Sequence, residues 1–419
     1  MNIKRDPSRS FFAQKRRGAS TRFLFFFTML AAALTALYLA NMDAVQAEAF
    51  RALNISGEPT MLPSQHATRG QTLFYDGELD EAIAEFEQAV AMRPNNIDYL
   101  YELGMMLMEA DRFDRAREIA AQALEVAPDD PRGYTLRARS LMWSDPPQAI
   151  QVAIQGIDRD PEFAPLYAIQ GVAYTNLARW QEGLRMATRA RELDPNDIFV
   201  QMSYQWPATY RGDFRGAIEA LETAIGLNPN LVTPYFYLAR LYSLAQVGEQ
   251  TMAIATYYRI LELSPDNERA YLRLCQTYAA VDQARFDIAQ PYCDRAIAIN
   301  PEYGDAYAQR GQMQYVRRNY EGAIESFEAC IENGSQLIEC RYLMGFSHYR
   351  LANYAEAWEI SNEARAIASN MSGMGIIVEN IDNILDAITR RSPDFSDQPI
   401  PTTVPPTPLP PTPIGGFGG

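Results

Sequence analysis

The stretch GQTLFYDGELDEAIAEFEQAVAMRP, Gly70 to Pro94, decides how this chain folds. Leu79, Ala82, Phe86 and Ala89 recur at three- and four-residue spacing, the period of a helix with one buried face. Gly77 interrupts the pattern, so the stretch predicts two short helices rather than one long one. Pro94 closes the second helix, because proline lacks an N–H donor and its ring clashes with the preceding turn.

The same design returns along the chain. Pro94, Pro128, Pro161, Pro195, Pro229, Pro265 and Pro301 are spaced by 34, 33, 34, 34, 36 and 36 residues. Leu103, Gly104, Phe113, Ala116 and Ala123 fill one block; Gly171, Tyr174, Trp180 and Ala190 another; Phe214, Ala217, Leu221 and Ala224 a third. Two later blocks lack the proline but keep the rest: Gly311, Tyr320, Ala323, Phe327, then Gly345, Tyr354, Ala357, Ala364. A period of this length means one supersecondary unit stacked many times, each burying its apolar face on the next. The small residues recur at facing places, where they let helix axes approach closely.

Repeated in this order, the small residues, tyrosine, phenylalanine and proline resemble the tetratricopeptide repeat. About nine repeats fit between residues 63 and 370, roughly three quarters of the chain. The resemblance implies an all-α fold: a right-handed superhelical solenoid of about nine helix-turn-helix repeats with a C-terminal capping helix. The cap is expected over 371–390, where Ile377, Ile381, Ile384, Leu385 and Ile388 form one apolar stripe. Three departures stand out. The turn at Asp145-Pro146-Pro147 is short, and the turns in the repeats ending at Pro265 and Pro301 are long. Pro207 falls inside the first helix of the fifth repeat, where it predicts a kink or a helix that begins close to it.

Stacked repeats make an extended surface and rarely a catalytic pocket. The chain has two histidines, His66 and His348, each at a structural place in its repeat. No Cys-x-x-Cys, Gly-rich phosphate loop or nucleophile-elbow serine is present. No catalytic residue, cofactor or metal is therefore expected, and the reading is a non-enzymatic protein. In the family the first helix of each repeat lines the concave groove. Those places here hold Phe74, Tyr101, Met105, Met108, Arg139, Met142, Met202, Trp206, Tyr210, Phe236, Arg240, Tyr315, Tyr342, Phe346 and Tyr349. Aromatic residues and methionine are enriched in binding hot spots and adaptable grooves, although some of these side chains are expected to pack against the next repeat. Members that grip acidic chaperone tails carry lysine and asparagine at the fifth and ninth places. Tyr101/Met105, Thr135/Arg139, Ala168/Val172 and Met202/Trp206 stand there instead, so that clamp is missing.

The ends differ from the middle. Residues 23–40 are eighteen in a row without a charge, about 27 Å as a helix, preceded by seven basic residues and one acidic residue in 1–22. The positive-inside rule then predicts a basic cytoplasmic tail (1–22), a transmembrane signal anchor (23–40), a linker (41–62) and extracytoplasmic repeats (63–370). A cleaved signal peptide ending near Val45-Gln46-Ala47 is the alternative. Residues 391–419 are proline-rich and nearly uncharged, and are expected to be a disordered tail.

The formal charge is −15 overall, and setting aside the +6 leader leaves −21, which argues against nucleic acid as partner. An even count of four cysteines in an exported domain suggests disulfides Cys275–Cys293 and Cys330–Cys340. Four small apolar residues in tight helix contacts are the alternative. Together these features predict a membrane-anchored scaffold that holds a helical or extended segment of another protein outside the cytoplasm, in cell-envelope or membrane-complex assembly. A glycan-binding solenoid with an aromatic groove is the second reading.

Overall fold

A computed structural model describes residues 61–281, 286–371 and 373–392. The basic leader, the apolar run of 23–40 and the proline-rich end lie outside the described residues. The chain divides into two units, 1–65 and 66–419.

Among the described residues there are nineteen helices and no strand. They pair into nine repeats: α1 (Pro63–Asp76) with α2 (Leu79–Met92), α3 (Ile97–Glu109) with α4 (Phe113–Val126), and α5 (Pro131–Leu141) with α6 (Pro146–Ile157). Next come α7 (Ala164–Asn176) with α8 (Trp180–Leu193), α9 (Ile198–Arg211) with α10 (Phe214–Leu227), and α11 (Val232–Ser243) with α12 (Gln250–Leu263). The last three pairs are α13 (Glu268–Val281) with α14 (Phe286–Ile299), α15 (Gly304–Val316) with α16 (Tyr320–Glu332), and α17 (Ile338–Arg350) with α18 (Tyr354–Ser369). The single helix α19 (Gly375–Arg391) follows and buries Ile381, Leu385 and Ile388 against the last pair.

The small residues sit where helices meet most closely. Ala82, Ala116, Ala149, Ala217, Ala253, Ala323 and Ala357 are wholly buried. A Cβ at Gly70 would lie 2.6 Å from the Phe86 ring, and one at Gly311 would lie 2.6 Å from the Phe327 ring. In these two repeats the ring of the second helix therefore packs directly on the glycine of the first helix.

The prolines do more than end helices. Tyr134, Tyr167 and Tyr235 each donate a hydroxyl bond of 2.9 Å to the carbonyl of the proline six residues earlier, Pro128, Pro161 and Pro229. Gln201 does the same for Pro195 at 2.6 Å. Each bond ties the start of one repeat to the end of the last and satisfies a carbonyl beyond a helix end. Helix starts are capped by Asn96, Asp130 and Asp197 at first helices and by Asp145 and Asp213 at second helices, whose side chains accept backbone N–H groups.

Two expectations need correction. α9 does not begin at Pro207. The helix runs uninterrupted from Ile198 to Arg211, with Pro207 buried inside it. Asp197 caps its start, Gly212 ends it in a left-handed conformation, and it packs on α7, α8 and α10, so tertiary contacts hold the helix through the missing donor. The single-pass membrane localisation is the second correction. The described helices are 11 to 17 residues long, and none of them is long and apolar enough to cross a membrane.

Cys275 is bonded to Cys293 with Cα atoms 5.4 Å apart, joining α13 to α14. Cys330 is bonded to Cys340 with Cα atoms 6.3 Å apart, joining α16 to α17.

Candidate partner-binding channel

Within the second unit the repeats coil until one superhelical turn meets the next. Asn228, fully buried between α10 and α11, donates from Nδ2 to the Phe74 carbonyl at 3.3 Å and accepts the Asn230 N–H at 3.0 Å. Asn230 Nδ2 donates to the Tyr75 carbonyl at 2.9 Å. Both carbonyls belong to the last turn of α1, which a helix leaves short of partners. Gly77 makes this approach possible. Its φ is +91°, and a Cβ there would stand 3.0 Å from the Asn230 carbonyl oxygen. Farther along, Arg269 at the start of α13 donates to Asp111 at 2.8 Å. These partners are 154, 155 and 158 residues apart, about 4.6 repeats of 34 residues.

The closed turn surrounds a cavity of about 740 Å³. Its aromatic lining is Phe74, Phe113, Trp143, Trp206, Phe236 and Tyr237, joined by Met108 and Met142. Trp206 meets Trp143 edge-on at 4.7 Å and Tyr237 at 5.6 Å, while the Arg240 guanidinium lies 4.6 Å over its ring. Arg139 and Glu109 form an ion pair at 2.8 Å, with only 9% and 7% of their side chains exposed. Arg139 also lies 4.4 Å over the Phe199 ring. The second Glu109 oxygen, Oε1, is closed off from solvent and has no donor.

The lining is strongly acidic. Glu78, Asp80, Glu81, Glu109, Asp111, Asp266 and Glu268 face it, against Arg139 and Arg269. Burial pushes the Tyr237 phenol up to about 12, with the Glu109 charge adding to the effect. Burial also raises the Asp111 carboxyl, an effect Arg269 opposes, and desolvation lowers the Arg240 guanidinium.

Of the residues expected in the groove, Phe74, Met108, Arg139, Met142, Trp206 and Phe236 line this one cavity. Arg240 stands behind them, donating to Gln205 at 3.2 Å. Met202 is buried in the core. Tyr101 and Met105 pack onto core clusters, Tyr101 edge-on to Phe163 at 6.2 Å, and burial pushes its phenol well upward. Tyr210 is 56% exposed and does not line the cavity. Tyr315, Tyr342, Phe346 and Tyr349 belong to the last two repeats and do not line it either. Tyr315 meets Tyr320, Tyr342 meets Phe346, and Tyr349 is buried under Arg391. Both histidines are structural: His66 bonds Glu85 at 2.6 Å, and burial lowers His348.

Sequence reasoning missed Trp143, Tyr237, Glu109, Asp111, Asn230, Glu268 and Arg269. Asp111, Trp143 and Asn230 lie between helices, and their meeting with the others depends on superhelical pitch, which no repeat-local pattern encodes.

Comparison with known proteins agrees with this architecture. Family models for the tetratricopeptide repeat match residues 73–140 and 208–268, and one for anaphase-promoting complex, cyclosome, subunit 3 matches 282–364. The chain carries tetratricopeptide repeats. It is 32% identical over 94 residues to RNA polymerase II-associated protein 3 of Xenopus laevis, covering 22% of this chain and 14% of that protein. It is 20% identical over 338 residues to the protein CTR9 homolog of Arabidopsis thaliana, covering 76% of this chain and 27% of that one. The chain therefore spans well under a third of either relative. The crystal structure of the APC/C hetero-tetramer Cut9–Hcn1 has a TM-score of 0.55 at 18% identity, covering 74% of this chain and 59% of that chain, which speaks for the fold. The extracytoplasmic, membrane-anchored placement finds no support in these relatives or in the described helices, none of which is long and apolar enough to cross a membrane.

Proposed function

We propose that this chain is a non-enzymatic scaffold whose channel holds a segment of another protein. The observation that carries the reading is the convergence of Met108, Arg139, Met142, Trp143, Trp206 and Phe236, from the second, third, fifth and sixth repeats, on one cavity. Aromatic and arginine side chains at the centre of a concave surface, with their own rotamers fixed by neighbours, are the usual anchors of protein interfaces. The rings here are fixed by each other and by the arginines over them.

The test is photo-crosslinking in cells with a reactive residue placed at Phe236 or at Met252, which is 47% exposed on the second helix of the same repeat. A protein crosslinked at Phe236 and absent at Met252 is expected. Capture at Met252 alone, or of polysaccharide in place of protein, contradicts the proposal.

A further inference from the structure

We propose that the channel takes a cationic stretch of its partner, an extended peptide segment bearing arginine or lysine. This rests on the channel being the partner site, and it adds the chemistry of what enters.

Charge gives the first reason. Four lining carboxylates already have arginines: Glu109 with Arg139, Asp111 with Arg269, Asp80 with Arg112 at 2.6 Å, and Asp266 with Arg295 at 3.0 Å. Among the described residues Glu78, Glu81 and Glu268 have no ion-pair partner, although they line the same cavity. Glu78 and Glu81 stand at the start of α2 and Glu268 opens α13, so the excess charge comes from both superhelical turns. Like charges held around a low-dielectric cavity attract a cation more strongly than the same charges spread in water.

A second and independent reason lies deeper. Glu109 is 93% buried, lines the cavity, and has one oxygen on Arg139 and the other without any donor. A buried carboxylate oxygen left without a donor is unfavourable, and a charged donor is its strongest partner. A guanidinium or ammonium group on the occupant supplies that donor. Neutral sugar hydroxyls supply no charge for the outer carboxylates, and an acidic segment meets repulsion from all of them.

The ring faces of the same wall suit cations as well. Arg240 over Trp206, Arg269 over Phe236 and Arg139 over Phe199 show guanidinium groups seated on the aromatic rings in and beside the channel. Trp143 and Tyr237 stand on the wall with Glu109, so a cation held by that carboxylate lies among electron-rich rings.

The experiment is fluorescence anisotropy on the full chain with short labelled peptides of one alternating design, in which alanine alternates with arginine, lysine, glutamine or glutamate. The arginine and lysine peptides are expected to bind about tenfold tighter than the glutamine peptide or better, with affinity falling as salt rises. The combined variant Glu78→Gln, Glu81→Gln, Glu268→Gln should lose about tenfold in affinity for the arginine peptide and much of its salt dependence. Its thermal melting should stay unchanged, since none of the three is buried. Glu109→Gln should weaken the arginine peptide further. Equal binding of the glutamine or glutamate peptide overturns the cationic assignment and leaves the scaffold standing. If no peptide binds and a polysaccharide does, both fall.

Discussion

At the scale of single residues, three positions carry most of the account. Gly77 has a φ of +91° and faces the Asn230 carbonyl, so Gly77→Ala meets both a left-handed penalty and a close contact. It should cost about 1–2 kcal/mol in urea unfolding, with the loss shared by Asn230 variants because they disturb the same junction. Glu109 shields a buried arginine. Glu109→Ala leaves Arg139 unpaired and should cost about 3–5 kcal/mol, whereas Glu109→Gln keeps a hydrogen-bond acceptor and should cost much less. Trp206 is not a free-standing groove residue. It is half-buried between Trp143 and Tyr237 under Arg240. Trp206→Ala should therefore lower stability by about 2 kcal/mol as well as weaken partner binding by about tenfold. Trp206→Phe, which keeps a ring, should recover most of the stability, and thermal melting beside a binding titration reads both effects.

At the scale of the element, the period of the prolines was enough to read the helix pairs, because a repeat's geometry is local: spacing, small residues and a helix stop decide it. The Pro-to-Tyr bonds show how the register is held, and Tyr134, Tyr167 and Tyr235, six residues after their prolines, were there to be noticed in the sequence. A helix start close to Pro207 was the wrong expectation, because local propensity counts the missing hydrogen bond and not the neighbours that hold α9 together. Pro207→Ala restores a donor inside an otherwise regular helix and should raise stability by about 1–2 kcal/mol, less than the full proline penalty because buried ring contacts are lost. The two disulfides each close a short loop between adjacent helices. Reduction should cost roughly 2–3 kcal/mol per bridge and lower the thermal midpoint of the C-terminal repeats, while Cys→Ala at either pair should make that midpoint less sensitive to reductant.

At the scale of the whole solenoid, the decisive event is one superhelical turn meeting the next. It lets Asn228, Asn230 and Arg269 reach Phe74, Tyr75 and Asp111 across more than 150 residues, and it converts an open concave face into a walled channel. First-helix places revealed Phe74, Met108, Arg139, Met142, Trp206 and Phe236, since the repeat alone aims those side chains inward. Tyr315, Tyr342 and Phe346 occupy equivalent places in the last two repeats but do not line the channel. Hydrogen exchange of the full chain, with and without a saturating arginine-bearing peptide, tests the central claim most directly. The account predicts slowed exchange in α9, α11 and the last turn of α3, where the channel wall stands, with α8 and α10 unchanged. Slowed exchange confined to α8 and α10, with the channel wall unaffected, would contradict it.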